Sequence, residues 1–201
     1  MRPLLPSARL AFRTGHAGLL LVAAVALVVV SVPWQDGGFA TSVVHLVVLL
    51  AALAVALSFD DPTGDVATAA PVRRSTWTAA RTVATLERVV PVLVVGFLVA
   101  WLRFRPLPGW GLAAETTGHL VAALAVVAGL RSWRGTHLPS YPAVGGVLLV
   151  ALVTRALPGG WAMVDPQPWG PPYEAALWRW LGLVLVALAV LAVAVRDPLD
   201  R

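Results

Sequence analysis

GGFATSVVHLVVLLAALAVALSF, the stretch formed by residues 37–59, contains no charged side chain. A run of this length exceeds the ~20 residues that an α-helix needs to span a lipid bilayer. A second uncharged run, residues 14–35, precedes it and is separated from it by Asp36 alone. Both runs are rich in Ala, Val and Leu and do not alternate between polar and apolar residues. They therefore predict membrane-spanning helices and not the strands of a membrane β-barrel.

The composition of the whole chain supports this interpretation. Hydrophobic residues make up 59% of the 201 residues, charged residues make up 12%, and the mean hydropathy is +0.81. A soluble domain contains about 25% charged residues. This composition therefore excludes a soluble domain and predicts an integral membrane protein. The chain has no cysteine, which excludes disulfides, thiolate metal sites and thiol catalysis. The net charge of +5 needs no nucleic-acid partner to explain it, because the arginines mainly flank the apolar runs.

Four weaker apolar stretches follow the first two. The third is short, because its uncharged run is limited to the residues between Arg88 and Arg103. Both arginines can, however, extend their charged ends to the membrane interfaces. We therefore predict an all-α, polytopic membrane protein that forms one domain over residues 1–201. It has a cytoplasmic helical loop between spans 2 and 3, and an outer segment rich in Pro and Trp between spans 5 and 6. The six predicted spans are residues 15–34, 39–58, 86–103, 111–130, 141–157 and 176–195.

The distribution of arginine predicts the orientation of these spans. With the N-terminus inside, eleven of the fifteen arginines lie in cytoplasmic segments and four lie outside, and the opposite orientation inverts these numbers. The positive-inside rule therefore predicts that both termini are cytoplasmic. All basic residues other than histidine are arginine, which together with the abundant Ala, Val, Leu and Gly is typical of a GC-rich bacterial genome. The predicted location is the bacterial plasma membrane.

The predicted cytoplasmic loop has the most structured polar sequence in the chain. Asp61 and Pro62 suit the N-cap and first position of a short helix that ends before Pro71. A second helix is predicted over residues 72–87, and a repeat of seven residues places three arginines on one of its faces: Arg74, Arg81 and Arg88. This stripe of arginines fits two interpretations. It lies against anionic lipid headgroups, or it is a docking surface for a cytoplasmic protein.

Two parts of the sequence resemble a known family. Residues 58–91 read SFDDPTGDVATAAPVRRSTWTAARTVATLERVVP, and the chain ends VRDPLDR. Both resemble the membrane subunits of small actinobacterial ABC-type transporters of the ABC-2-like kind, which also have six spans. The resemblance implies an exporter permease that works with a separate ABC ATP-binding subunit and with a second permease copy or paralogue. It further implies that the loop after the second span couples to the ATPase, through Asp60, Asp61, Pro62, Arg74, Arg81 and Arg88.

Three ionisable residues fall inside the predicted spans near the outer side. His45 lies in the second span, and Glu115 and His119 are four residues apart on one face of the fourth. At 1.5 Å per residue, all three lie roughly 6–12 Å below the outer interface. Ionisable residues inside membranes are costly, so they are candidates for function. A proton relay, a substrate contact, a weak metal site and a purely structural cluster of hydrogen bonds between helices all remain open here.

Several functions are excluded by missing motifs. The chain has no Gly-rich phosphate loop, so it is not itself the ATPase, and no serine lies in a Gly-x-Ser-x-Gly turn. We therefore predict no enzymatic activity, no cofactor and no metal site. Two alternatives to a permease remain: an integral membrane protein that anchors or regulates a partner without transport, and an ion- or proton-handling protein built on His45, Glu115 and His119.

Overall fold

The structure, a computed structural model, describes a large part of the chain as helices. The described residues are 37–57, 82–83, 85–87, 89–95, 97–98, 109–134, 140–158, 161, 163 and 171–194. They contain four continuous α-helices: α1 (Gly37–Leu57), α2 (Gly109–Arg134), α3 (Ser140–Ala156) and α4 (Pro171–Ala194). The described residues between 82 and 98 are helical as well. Because these residues include no strand, the prediction of an all-helical fold is confirmed for this part of the chain. The first predicted span lies outside the described residues.

Two of the helices are long and apolar enough to cross a membrane. These are α2, over Trp110–Leu130, and α4, over Pro171–Ala194. At 1.5 Å per residue each is roughly 30 Å or more in length, which matches the hydrocarbon thickness of a bilayer. Two shorter stretches are also apolar, Val44–Leu57 of α1 and Tyr141–Ala156 of α3.

The start of α4 differs from the predicted span. The apolar run begins at Ala176, whereas the helix begins at Pro171, with Glu174 in its first turn. Proline is favoured in the first turn of a helix, where the backbone N–H that it lacks has no helical partner. A carboxylate in the first turn interacts favourably with the helix dipole. Hydropathy therefore detects only the apolar part of α4, and its polar first turn has to be recognised from helix-start signals.

α2 is the central helix, because it packs against α1, α3 and α4. The core around it consists mainly of small and β-branched side chains, which allow helices to approach closely. Its buried members lie on α1, α2, α3 and the 82–98 segment: Val47, Ala51, Ala52, Val55, Ala56, Val89, Leu93, Leu120, Ala123, Leu124, Val127, Ala143 and Val147.

Glycines on two of the helices allow this close approach. A Cβ added at Gly118 of α2 would overlap the ring of Trp180 on α4. A Cβ added at Gly146 of α3 would lie 2.7 Å from a methyl group of Val126 on α2. The α2–α4 and α2–α3 contacts therefore each depend on a missing side chain.

The outward faces of the helices are apolar as well. α3 exposes Leu148, Leu149, Leu152 and Val153, and α4 exposes Leu181, Leu185, Val186, Leu188, Val190 and Val193. A helix that is hydrophobic on all sides fits a protein interior or a membrane, and these side chains are not in the interior.

Candidate functional site

The candidate site lies on α2, the helix that carries three buried polar side chains, Glu115, Thr116 and His119. The hydroxyl of Thr116 donates a hydrogen bond of 2.6 Å to the carbonyl oxygen of Leu112. This bond satisfies the threonine within its own helix, a common arrangement for Thr in a helix interior. The carboxylate of Glu115 instead pairs with a side chain on another helix, and the ring of His119 packs against another helix.

Glu115 is paired with His45 of α1. The Nδ1 atom of His45 lies 2.8 Å from Oε1 and 2.7 Å from Oε2 of the carboxylate. The side chain of His45 is 13% exposed and that of Glu115 is 4% exposed, so water is largely excluded from the pair. A hydrogen bond between ionisable groups is strong in such surroundings, and its loss would leave a buried polar group without a partner.

Arg155, in the last turn of α3, is a second basic group beside the same carboxylate. Its Nη2 atom lies 3.9 Å from Oε1 of Glu115, and its side chain is 45% exposed. Exposure therefore falls from Arg155 through His45 to Glu115, and the three side chains connect α3, α1 and α2. We refer to His45, Glu115 and Arg155 below as the carboxylate cluster.

Arg155 was not predicted to belong to this site. From the sequence it is one of the four arginines on the predicted outer side. Its position in the last turn of α3 was visible from the sequence, but its distance to Glu115 depends on how α3 packs against α2.

His119 has a different set of partners. Its Nδ1 atom donates a hydrogen bond of 3.0 Å to the backbone carbonyl oxygen of Glu115, one helical turn earlier. Its ring lies 5.0 Å from the ring of Trp180, with an angle of 44° between the two planes. His119 therefore shares a helix face with Glu115, as its spacing indicates, but its ring packs towards α4.

Trp180 joins α4 to the segment that follows α3. Its side chain is buried, and its indole N–H donates a hydrogen bond of 2.7 Å to the carbonyl oxygen of Met163. Because the same ring packs against Gly118 and His119, one side chain holds α2, α4 and residue 163 together. Trp180 is one of nine tryptophans, and its described contacts give it a structural role between helices.

The described part of the chain contains no group of three His, Cys, Asp or Glu side chains that could hold a metal ion. The carboxylate cluster contains two such residues, His45 and Glu115, and its third member is an arginine, which is positively charged and does not bind cations. The chemistry that this site supports is therefore proton binding and ion pairing.

The residues predicted to couple to an ATPase, Asp60, Asp61, Pro62, Arg74, Arg81 and Arg88, lie outside the described residues.

Comparison of the chain with protein-family models, with curated proteins and with solved structures found no significant match.

Proposed function

We propose that the chain is the membrane-spanning permease subunit of an ABC-type exporter in the bacterial plasma membrane. It works with a separate ATP-binding subunit and with a second permease copy or paralogue. The observation that carries the proposal is the sequence of residues 58–91, with Asp60-Asp61-Pro62 followed by an arginine-rich stretch, and its resemblance to the coupling loop of such permeases. The 201 residues contain no phosphate-binding loop, and in this proposal the separate ATP-binding subunit hydrolyses ATP.

Embedding in a bilayer is supported by the described helices. α2 and α4 are long and apolar enough to cross a membrane, and α3 and α4 expose large apolar side chains. Lipid is the solvent in which such surfaces are stable, because it covers them without the cost of hydration. The proposed topology has six spans with both termini in the cytoplasm.

The packing on either side of residues 58–81 also supports a coupling role. Val55 and Ala56, at the end of α1, are buried in the core around α2, and so are Val89 and Leu93 of the 82–98 segment. A loop that transmits force from an ATPase has to be attached to helices that move with the rest of the protein. The helices that flank residues 58–81 meet this requirement, because both pack into one apolar core.

Reversal of the arginine stripe tests this proposal. The variant Arg74→Glu/Arg81→Glu should be inserted at the wild-type level but should lose at least about tenfold of the co-purified ATPase, since like charges brought together across an interface cost several kcal/mol. The measurement is co-purification in mild detergent from the native host, with any ABC ATP-binding subunit identified by mass spectrometry. Arg131→Glu/Arg134→Glu, at the end of α2 on the predicted cytoplasmic side, is a control with the same change in charge.

Two outcomes would contradict the proposal. If no ATPase co-purifies with the unmodified protein, the chain is better described as a membrane anchor or regulator of another partner. If Arg74→Glu/Arg81→Glu weakens membrane association and leaves ATPase binding unchanged, the stripe binds lipid and the coupling surface lies elsewhere.

A further inference from the structure

The carboxylate cluster has no role in the proposed coupling to an ATPase, since it lies at the opposite end of the helices. Glu115 is in the second turn of α2 and Arg155 is in the last turn of α3, whereas residues 58–81 follow the end of α1. A pair of ionisable groups buried among apolar helices is also a poor source of stability. Well-packed apolar residues in place of a buried ion pair often give equal or greater stability. The chemistry of the cluster therefore needs a separate explanation.

The charges of the cluster depend on a single proton. With His45 neutral and Glu115 ionised, the Nδ1–H group donates to the carboxylate, and among the described residues Arg155 is the cation that balances its charge. When His45 binds a proton on its other ring nitrogen, the carboxylate has two cationic partners and the cluster gains a net positive charge. The proton comes from water and returns to water, so no other reactant is needed. Imidazole is the side chain that makes this change near neutral pH.

This change alters the interaction between α2 and α3. Coulomb attraction between Glu115 and Arg155 is unopposed while His45 is neutral, and repulsion between the two cations opposes it once His45 is charged. Arg155 is the most exposed member and has the longest contact, 3.9 Å, so it is the member that can move towards solvent. The other described ionisable group facing the cluster is His119, and α4 presents the uncharged ring of Trp180 on this side.

We propose that His45 and Glu115 form a proton-binding site, and that proton binding there releases Arg155 and loosens the contact between α2 and α3 at this end of the protein. The ligand is a proton. The site requires neither a metal ion nor the ATP-binding subunit, so it stands or falls independently of the proposed function.

Nuclear magnetic resonance of ¹⁵N-histidine-labelled protein in proteoliposomes tests the binding step, because the chemical shifts of an imidazole report its charge. The His45 signal is identified by its absence in His45→Gln. Its chemical shifts should change from those of a neutral to those of a charged imidazole as the pH is lowered. Glu115→Gln should lower the proton affinity of His45 at least about tenfold, because the neighbouring negative charge is lost. Glu174→Gln removes an exposed carboxylate on α4 and should leave this affinity unchanged.

Arg155→Gln provides a second variant if Glu115→Gln does not fold. It removes a half-exposed cation, so the proton affinity of His45 should rise. Two results would overturn the proposal and leave the pair a structural contact. In the first, the imidazole of His45 has the same charge at every pH. In the second, its proton affinity is the same in wild type, Glu115→Gln and Arg155→Gln.

The release of Arg155 is tested with spin labels on α2 and α3. The chain contains no cysteine, so cysteines introduced at the exposed residues Ala113 and Leu152 are the only labelling sites. Pulsed electron paramagnetic resonance should give a longer or broader distance distribution at pH 5 than at pH 8 in the wild-type background. The difference should be absent in His45→Gln and retained in Glu174→Gln. Equal distributions at both pH values in the wild-type background would refute the link between proton binding and helix contact.

Discussion

At the scale of single residues, the buried carboxylate of Glu115 requires neighbours that donate hydrogen bonds or carry positive charge. It is nearly inaccessible to water and has His45 at hydrogen-bond distance. The sequence indicated that His45 and Glu115 are both inside apolar runs, since that requires only a count along the chain. That the two side chains meet could not be predicted, because it depends on the rotation of α1 and α2 about their axes. The same limit explains why Arg155 was not assigned to the site.

A double-mutant cycle measures the interaction free energy between His45 and Glu115. His45→Leu leaves the buried carboxylate without its closest partner and should lower the free energy of unfolding by about 3–5 kcal/mol. Glu115→Leu leaves a neutral imidazole without an acceptor and should cost less, about 1–3 kcal/mol. The double variant should recover most of the loss, because apolar side chains replace both ionisable groups. Thermal unfolding in detergent gives these values, and simple additivity of the two single variants would contradict the prediction.

At the scale of helices, the contact between α2 and α4 depends on one glycine and one tryptophan. The missing side chain of Gly118 creates the space that the ring of Trp180 fills. The partner of Gly118 could not be identified from the sequence. That partner, Trp180, is far along the chain and is one of nine tryptophans.

Gly118→Ala should therefore destabilise the protein by about 1–3 kcal/mol, since an added methyl group forces Trp180 or α4 to move. The hydrogen bond from Trp180 to Met163 should weaken as well, and a shift in tryptophan fluorescence would report that movement. Gly145→Ala is the matched control, because Gly145 is also in a helix and a Cβ there meets nothing within 4 Å. Equal melting temperatures for the two variants would show that the ring adapts without cost.

A second prediction for the same pair of helices concerns the start of α2. The backbone N–H of Gly111 donates a hydrogen bond of 2.7 Å to the hydroxyl of Tyr173 on α4. The first N–H groups of a helix have no partner within it, so this hydroxyl acts as a cap supplied by another helix. Tyr173→Phe should lower the free energy of unfolding by about 0.5–1.5 kcal/mol. Tyr141→Phe, at an exposed tyrosine, should have no effect on the same melting curve.

At the scale of the whole molecule, apolar runs predicted the class of fold better than its details. The absence of alternation in these runs indicated helices, and every described element is helical. Two of the described helices are long and apolar enough to cross a membrane, so the six spans remain a prediction from the sequence. Hydropathy measures how apolar a segment is and does not measure which neighbours cover it.

Reporter fusions test the six-span topology directly. The arginine asymmetry predicts that a reporter alternates between outside and inside, starting outside, when it is fused after Trp34, Thr76, Trp110, Gly135, Gly170 and Arg201. Alkaline phosphatase is active only outside and a fluorescent protein only inside, so each fusion point gives two complementary signals. A cytoplasmic signal at Gly170 would refute the model of six spans.

The order of the carboxylate cluster along the chain matters for how the protein is made. His45 of α1 leaves the ribosome before Glu115 of α2, and Arg155 of α3 follows both. When α2 is synthesised, the imidazole that pairs with its carboxylate is already part of the chain. The carboxylate of Glu115, on the helix against which α1, α3 and α4 pack, therefore has its hydrogen-bond partner before its cationic partner Arg155. Trp180 arrives last, on α4, and closes over Gly118 and His119 once the three earlier helices have been synthesised.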